Sequence, residues 1–142
     1  MNWSYLYTSF EGRIGRQTFW IALAAIGAVE LAAHLLAYRI EGNRLSAIVD
    51  LAFSYPEFAL LAKRGHDRNN PIWVVGLLFA GSIFLDFLVI FGWSEQLDNP
   101  NTIFVVIGVV WVFFALVLLV DLGFRRGTVG PNQYGPDPLA NG

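Results

Sequence analysis

Four long apolar runs, at 18–38, 45–62, 72–93 and 103–122, constrain this chain more than any other feature. About 20 apolar residues in a helix cross ~30 Å of hydrocarbon at 1.5 Å per residue. In 142 residues, four such runs leave room for short connections only. The polar content agrees. Charged residues make up 14% of the chain and the mean hydropathy is +0.53, whereas a soluble domain carries about 25% charged residues. The expectation is one all-α domain over 1–142, an integral membrane bundle of four transmembrane helices. A net charge of −2 argues against general affinity for nucleic acid, and the absence of cysteine removes disulfides, thiol catalysis and Cys-based zinc sites.

Residues 1–17 mix Trp3, Tyr5, Tyr7 and Phe10 with polar groups, which predicts an N-terminal interfacial segment lying on the headgroups. A cleaved signal peptide fits the first run poorly, because its apolar region is shorter and lies nearer the start. Ala24, Ala28 and Ala32 form a small-residue stripe suited to close helix packing. Residues 39–44 read as a short connection turning at Gly42-Asn43. The run at 45–62 is the weakest, holding Asp50, Glu57 and a helix-kinking Pro56. An interfacial or re-entrant segment is its alternative reading. Trp73 and Trp93 mark the ends of the third run, 94–100 is an acidic loop, and 127–142 is a Gly-, Pro- and Asn-rich tail.

Between the second and third runs, residues 63–70 read as a tight polar loop at the lipid–water boundary. Four spans place both termini on one side. Arg13, Arg16, Lys63, Arg64, Arg68, Arg125 and Arg126 then share that side, leaving only Arg39 and Arg44 of the nine basic residues opposite. The positive-inside rule makes the termini and the 63–70 loop cytoplasmic.

Three motifs carry a resemblance. The first is Phe10, Gly12, Arg13, Arg16, Phe19 and Trp20; the second is Lys63-Arg64-Gly65-His66-Asp67 followed by Trp73. The third is Gly130, Asn132, Tyr134, Gly135, Asp137 and Pro138. In this order the chain resembles the DUF805 family of small bacterial inner-membrane proteins. The resemblance implies a multi-pass inner-membrane topology and no particular activity. Lys63 stands where the family has arginine, Gly65 where it has leucine, and Pro71-Ile72 where Ser-Gly is common.

Two candidate sites follow. On the cytoplasmic side, Arg13, Arg16, Arg64 and Arg68, with Lys63 beside them, would form a positive collar. Each such charge attracts anionic lipid by about 1 kcal/mol. His66, Asp67, Asn132, Tyr134 and Asp137 would complete a pocket for a headgroup or a partner. Alternatively, the tail folds back over the loop and the Arg–Asp pairs are structural. A lipid-directed enzyme using His66-Asp67 ranks last, since no nucleophile or third ligand is fixed by spacing. The expectation is a non-enzyme without a cofactor.

The second site lies inside the membrane. Counted from the cytoplasmic ends, Glu30 and Asp50 lie about 18 Å deep and Asp86 about 21 Å deep, with His34 one turn beyond Glu30. Carboxylates there must share protons, bind a cation, bond across helices or face water. Glu30 and His34 also present two ligand types to a metal, leaving any metal undetermined. Glu57 and Asp121, nearer the edge, are expected to pair with Arg64 and with Arg125 or Arg126. The leading expectation is a membrane module that binds anionic lipid or a membrane-protein partner through its basic face, with a homo-oligomer as a further expectation. The alternative is a cation- or proton-coupled transport or channel subunit using the acids, which four helices would serve as an oligomer.

Overall fold

The structure, a computed structural model, describes residues 1–92 and 102–140, and of 102–105 the backbone alone. Trp93, the 94–100 loop and the first side chains of the fourth run lie outside the described residues. The elements are α1 (Trp3–Thr8), α2 (Arg16–Glu41), α3 (Asn43–Asp67), α4 (Ile72–Ile90) and α5 (Thr102–Phe124). No strand occurs among the described residues. The helices α2, α3 and α4, together with Val106–Phe124 of α5, are long and apolar enough to cross a membrane.

Helix ends depart from the apolar runs in two places. The connection at 39–44 shrinks to Gly42, because α2 continues to Glu41 and α3 begins at Asn43. Gly42 has φ 72° and ψ −146°, a conformation closed to residues with a Cβ, so one residue reverses the chain. The loop at 63–70 is corrected more strongly. Residues 63–67 form the last turns of α3, which runs unbroken through Pro56 as one 25-residue helix. The chain turns only at 68–71. There the Asn69 amide donates to the His66 carbonyl and the Asn70 amide to the Gly65 carbonyl, at 3.0 and 2.9 Å. Asn69 takes the left-handed conformation, φ 57°, that this helix-ending motif requires.

The packing of α2 also differs from expectation. Ala24, Ala28 and Ala32 are exposed, and the buried face carries Phe19, Ala22, Ile26 and Ala37. These positions recur at helical spacing and turn one face of α2 toward its neighbours. Phe19 and Ala22 join Leu6, Ile14 and Leu60 in the main core. The core therefore sits at the end of the bundle that carries α1 and the tail. Leu6 draws α1 into it, and the Tyr7 hydroxyl donates to the Ala22 carbonyl at 2.8 Å. Elsewhere large apolar side chains face outward, among them Leu31, Leu36, Phe84, Val109 and Phe113. Such a surface suits lipid and not water.

Candidate functional site

The polar residues at 63–68 and their partners form a closed knot around Asp67. Arg13 donates to Asp67 Oδ1 through Nη2 at 3.0 Å and Nε at 3.2 Å, while Arg64 pairs with Oδ2 from one turn away on α3. Arg13, Arg64 and Asp67 are 8%, 0% and 3% exposed. Two guanidinium groups share one carboxylate, so backbone carbonyls must supply the remaining acceptors. Arg13 also donates to the Gly130, Gly135 and Thr128 carbonyls, and Arg64 to the Leu122, Ile14 and Arg125 carbonyls.

These bonds solve the problem of helix ends, whose last carbonyls lack intrahelical partners. At α3, the tail returns to cap the helix. The Thr128 amide donates to the Asp67 carbonyl at 2.8 Å, and Asn132 Nδ2 to the His66 carbonyl at 2.9 Å. At α5, Trp20 Nε1 donates to the Gly123 carbonyl at 3.0 Å, Arg16 to that of Phe124 at 3.1 Å and Arg68 to that of Arg126 at 2.8 Å. Cations placed against a helix C-terminus also oppose its dipole.

The expected outward collar is therefore corrected. Arg13, Lys63 and Arg64 are buried, with Lys63 donating to the Ser9 carbonyl and lying over the Tyr5 ring. Arg68 is half-buried and pairs with Asp121 at 3.1 Å, and Asp121 also holds Arg125 at 2.9 Å. Arg16, Arg125 and Arg126 stay exposed.

His66 and Asp67 engage different surroundings. Asp67 faces the arginines, whereas His66 Nδ1 lies 3.2 Å from the Gly12 carbonyl and its ring stacks on Tyr134 at 3.9 Å and 6°. This stack forms one wall of an open cleft of about 680 Å³, bounded also by Tyr5, Phe10, Gly12 and Gln133. Tyr134 is positioned by a tight turn in which its amide donates to Asn132 Oδ1 and Asn132 bridges Gly135.

Asp137 locks the end of the tail. The Leu139 amide, then the Gly130 amide, donates to its carboxylate, and with Arg13 and Arg126 nearby they hold its carboxyl below the usual carboxylate range. A carboxyl depressed in the folded state stabilises the tail above its unfolded pKa, and that contribution disappears as pH falls through the folded value. Protease protection of the tail in detergent should thus weaken on acidification below the ordinary carboxylate range. Asp137→Asn should weaken it at neutral pH and flatten that part of the pH profile; an unchanged profile would refute the assignment.

Inside the bundle the structure gathers the acids named from sequence and adds one. His34 Nδ1 lies 2.8 Å from Asp50 Oδ1, linking α2 to α3. Glu57 on α3 lies within electrostatic reach of Glu30 on α2, a second α2–α3 approach, and does not pair with Arg64 as expected. Asp86 on α4 lies within electrostatic reach of Asp50 and Glu30. Sequence reasoning set Glu57 aside as an edge residue. Its spacing of seven from Asp50, two turns along one face, was the available signal. No group of three or more His, Asp or Glu side chains among the described residues is placed to hold a metal ion.

Comparison with known proteins adds the family. Residues 7–136 match the model of the family described as "Protein of unknown function (DUF805)". The chain is similar to "Uncharacterized protein YiiR" of Escherichia coli K12, at 31% identity over 140 residues covering 91% of this chain and 85% of the relative. The protein of the same name from Escherichia coli O157:H7 matches with the same identity and coverage. No solved structure matches.

Proposed function

The chain belongs to the DUF805 family, and from its own geometry we propose that it is a proton- or cation-handling module of the bacterial inner membrane. Glu30, His34, Asp50, Glu57 and Asp86 are the handling groups. The termini and the knot face the cytoplasm, a reading supported by the seven basic residues that fall on that side. The bacterial relatives support the compartment. One observation carries the function: ionisable side chains of α2 and α3 face each other within candidate spans, with His34 Nδ1 2.8 Å from Asp50 Oδ1 and Glu57 in electrostatic reach of Glu30. Ionisable groups at membrane depth are functional candidates by default. His34–Asp50 provides a second pair one or two turns farther from the knot, with Asp86 in charge reach of Asp50 and Glu30. The knot acts as the structural closure of the bundle, since its arginines spend their donors on the chain itself.

The test uses proteoliposomes with a pH-sensitive dye inside. Wild-type protein should dissipate an imposed proton or sodium gradient faster than empty vesicles. Glu57→Gln and Glu30→Gln keep a hydrogen-bonding side chain but lose the titrating acid, and should slow this flux about 100-fold, the scale of removing a proton-transfer group. Wild-type vesicles that behave as empty ones, or Gln variants that match wild type, would overturn the reading.

A further inference from the structure

We propose that the groove between α4 and α5 seats one anionic phospholipid, with its phosphate at Arg125 and an acyl chain along the helices. The groove has a volume of about 830 Å³ and is apolar over most of its wall, with Leu77 and Val74 on one side and Val117 and Phe114 on the other. It runs along α5 from Trp111 to the helix end at Phe124, just past which lies Arg125. Fourteen residues of helix span about 21 Å, more than the ~15 Å depth of one leaflet. Trp111 closes the inner end, packed so tightly against α4 that a Cβ at Gly81 would overlap its indole.

The charge at the mouth selects the occupant. Asp121, Asn70 and Arg125 lie at this end of the groove, and Asp121 is the single carboxylate shared by Arg68 and Arg125. Two guanidinium groups against one carboxylate leave one positive charge uncompensated. The Arg125 side chain is 69% exposed, so its free donors face outward. Arg68 is half-buried and adds its charge through the shared Asp121. A phosphodiester can accept from the outward donors of Arg125, and a guanidinium fork matches its geometry. An acyl chain attached to it would lie in the groove below. The exposed face of α5 is apolar from Val106 to Val120, which suits an acyl chain.

The experiment is native mass spectrometry of protein released from nanodiscs of equimolar phosphatidylglycerol and phosphatidylcholine. Wild type should retain one phosphatidylglycerol in preference to phosphatidylcholine. Val117→Trp should fill the groove and Arg125→Glu should reverse the charge at its mouth, each lowering the retained fraction about 10-fold. The Arg125 side chain is mostly exposed, so that variant tests the site even where the tryptophan disturbs packing. Equal retention of the two lipids, retention unchanged in both variants, or a dimer that Val117→Trp disrupts would overturn the proposal. The proton-flux measurement is independent of this outcome, since neither substitution touches the acid pairs.

Discussion

Asp67→Ala should destabilise the protein by about 3–5 kcal/mol, the cost of removing one partner from a buried ion cluster. The loss arises less from broken hydrogen bonds than from charge. Arg13 and Arg64 would keep their six carbonyl acceptors, yet two guanidinium groups would remain buried with no carboxylate between them. Asp67→Asn preserves shape and one acceptor and should fall between wild type and alanine. Thermal unfolding in detergent, followed by intrinsic tryptophan fluorescence, reads this order directly. A melting curve for Asp67→Ala that superimposes on wild type would show that the cluster contributes nothing net, as some buried ion pairs do.

Gly127→Ala is the second large effect, about 1–3 kcal/mol, because it forces a methyl group into a filled site. A Cβ on Gly127 would overlap the Asp67 carboxylate. That carboxylate is gripped on both oxygens and has no room to withdraw. The two substitutions must therefore couple. In Asp67→Ala the obstacle is gone, so Gly127→Ala should add little on top of it, whereas independent sites would sum. Additive losses in the same melting assay would mean that the tail does not approach α3 as closely as described.

The apolar runs made four helices legible before any coordinates, because a bilayer-length run has few other folds open to it. Helix ends were less legible for a specific reason. Residues 63–67 carry three charged side chains and a histidine, and such a stretch reads as solvated loop unless its partners are known. The partners lie at Arg13 and at 122–135, more than 50 residues away in each direction. Tertiary acceptors permit this polar segment to stay helical and buried. The same distance hid the role of Trp20, whose indole caps α5 and sits where Gly123 leaves space. In the spans, the coincidence of Glu30, Asp50 and Asp86 was visible from counting, but the approach of Glu57 to Glu30 depends on how α2 and α3 are rotated. The exposed alanine stripe shows the same limit, since spacing identifies a face without saying which way it points.

The tail that caps α3 has a consequence for biosynthesis. Arg13 leaves the ribosome among the first residues, while the Gly130 carbonyl it binds, 117 positions later, follows all four long helices. Until then the α3 terminus and the Arg13–Asp67 pair lack their lid, and closing so long a loop carries an entropic cost of its own. The bundle can insert helix by helix, but its polar end seals only after 128–137 have been made. A chain interrupted short of that stretch would present unsatisfied carbonyls and a half-solvated ion cluster at the membrane surface. Membrane proteases that read exposed polar defects could then tell finished chains from unfinished ones.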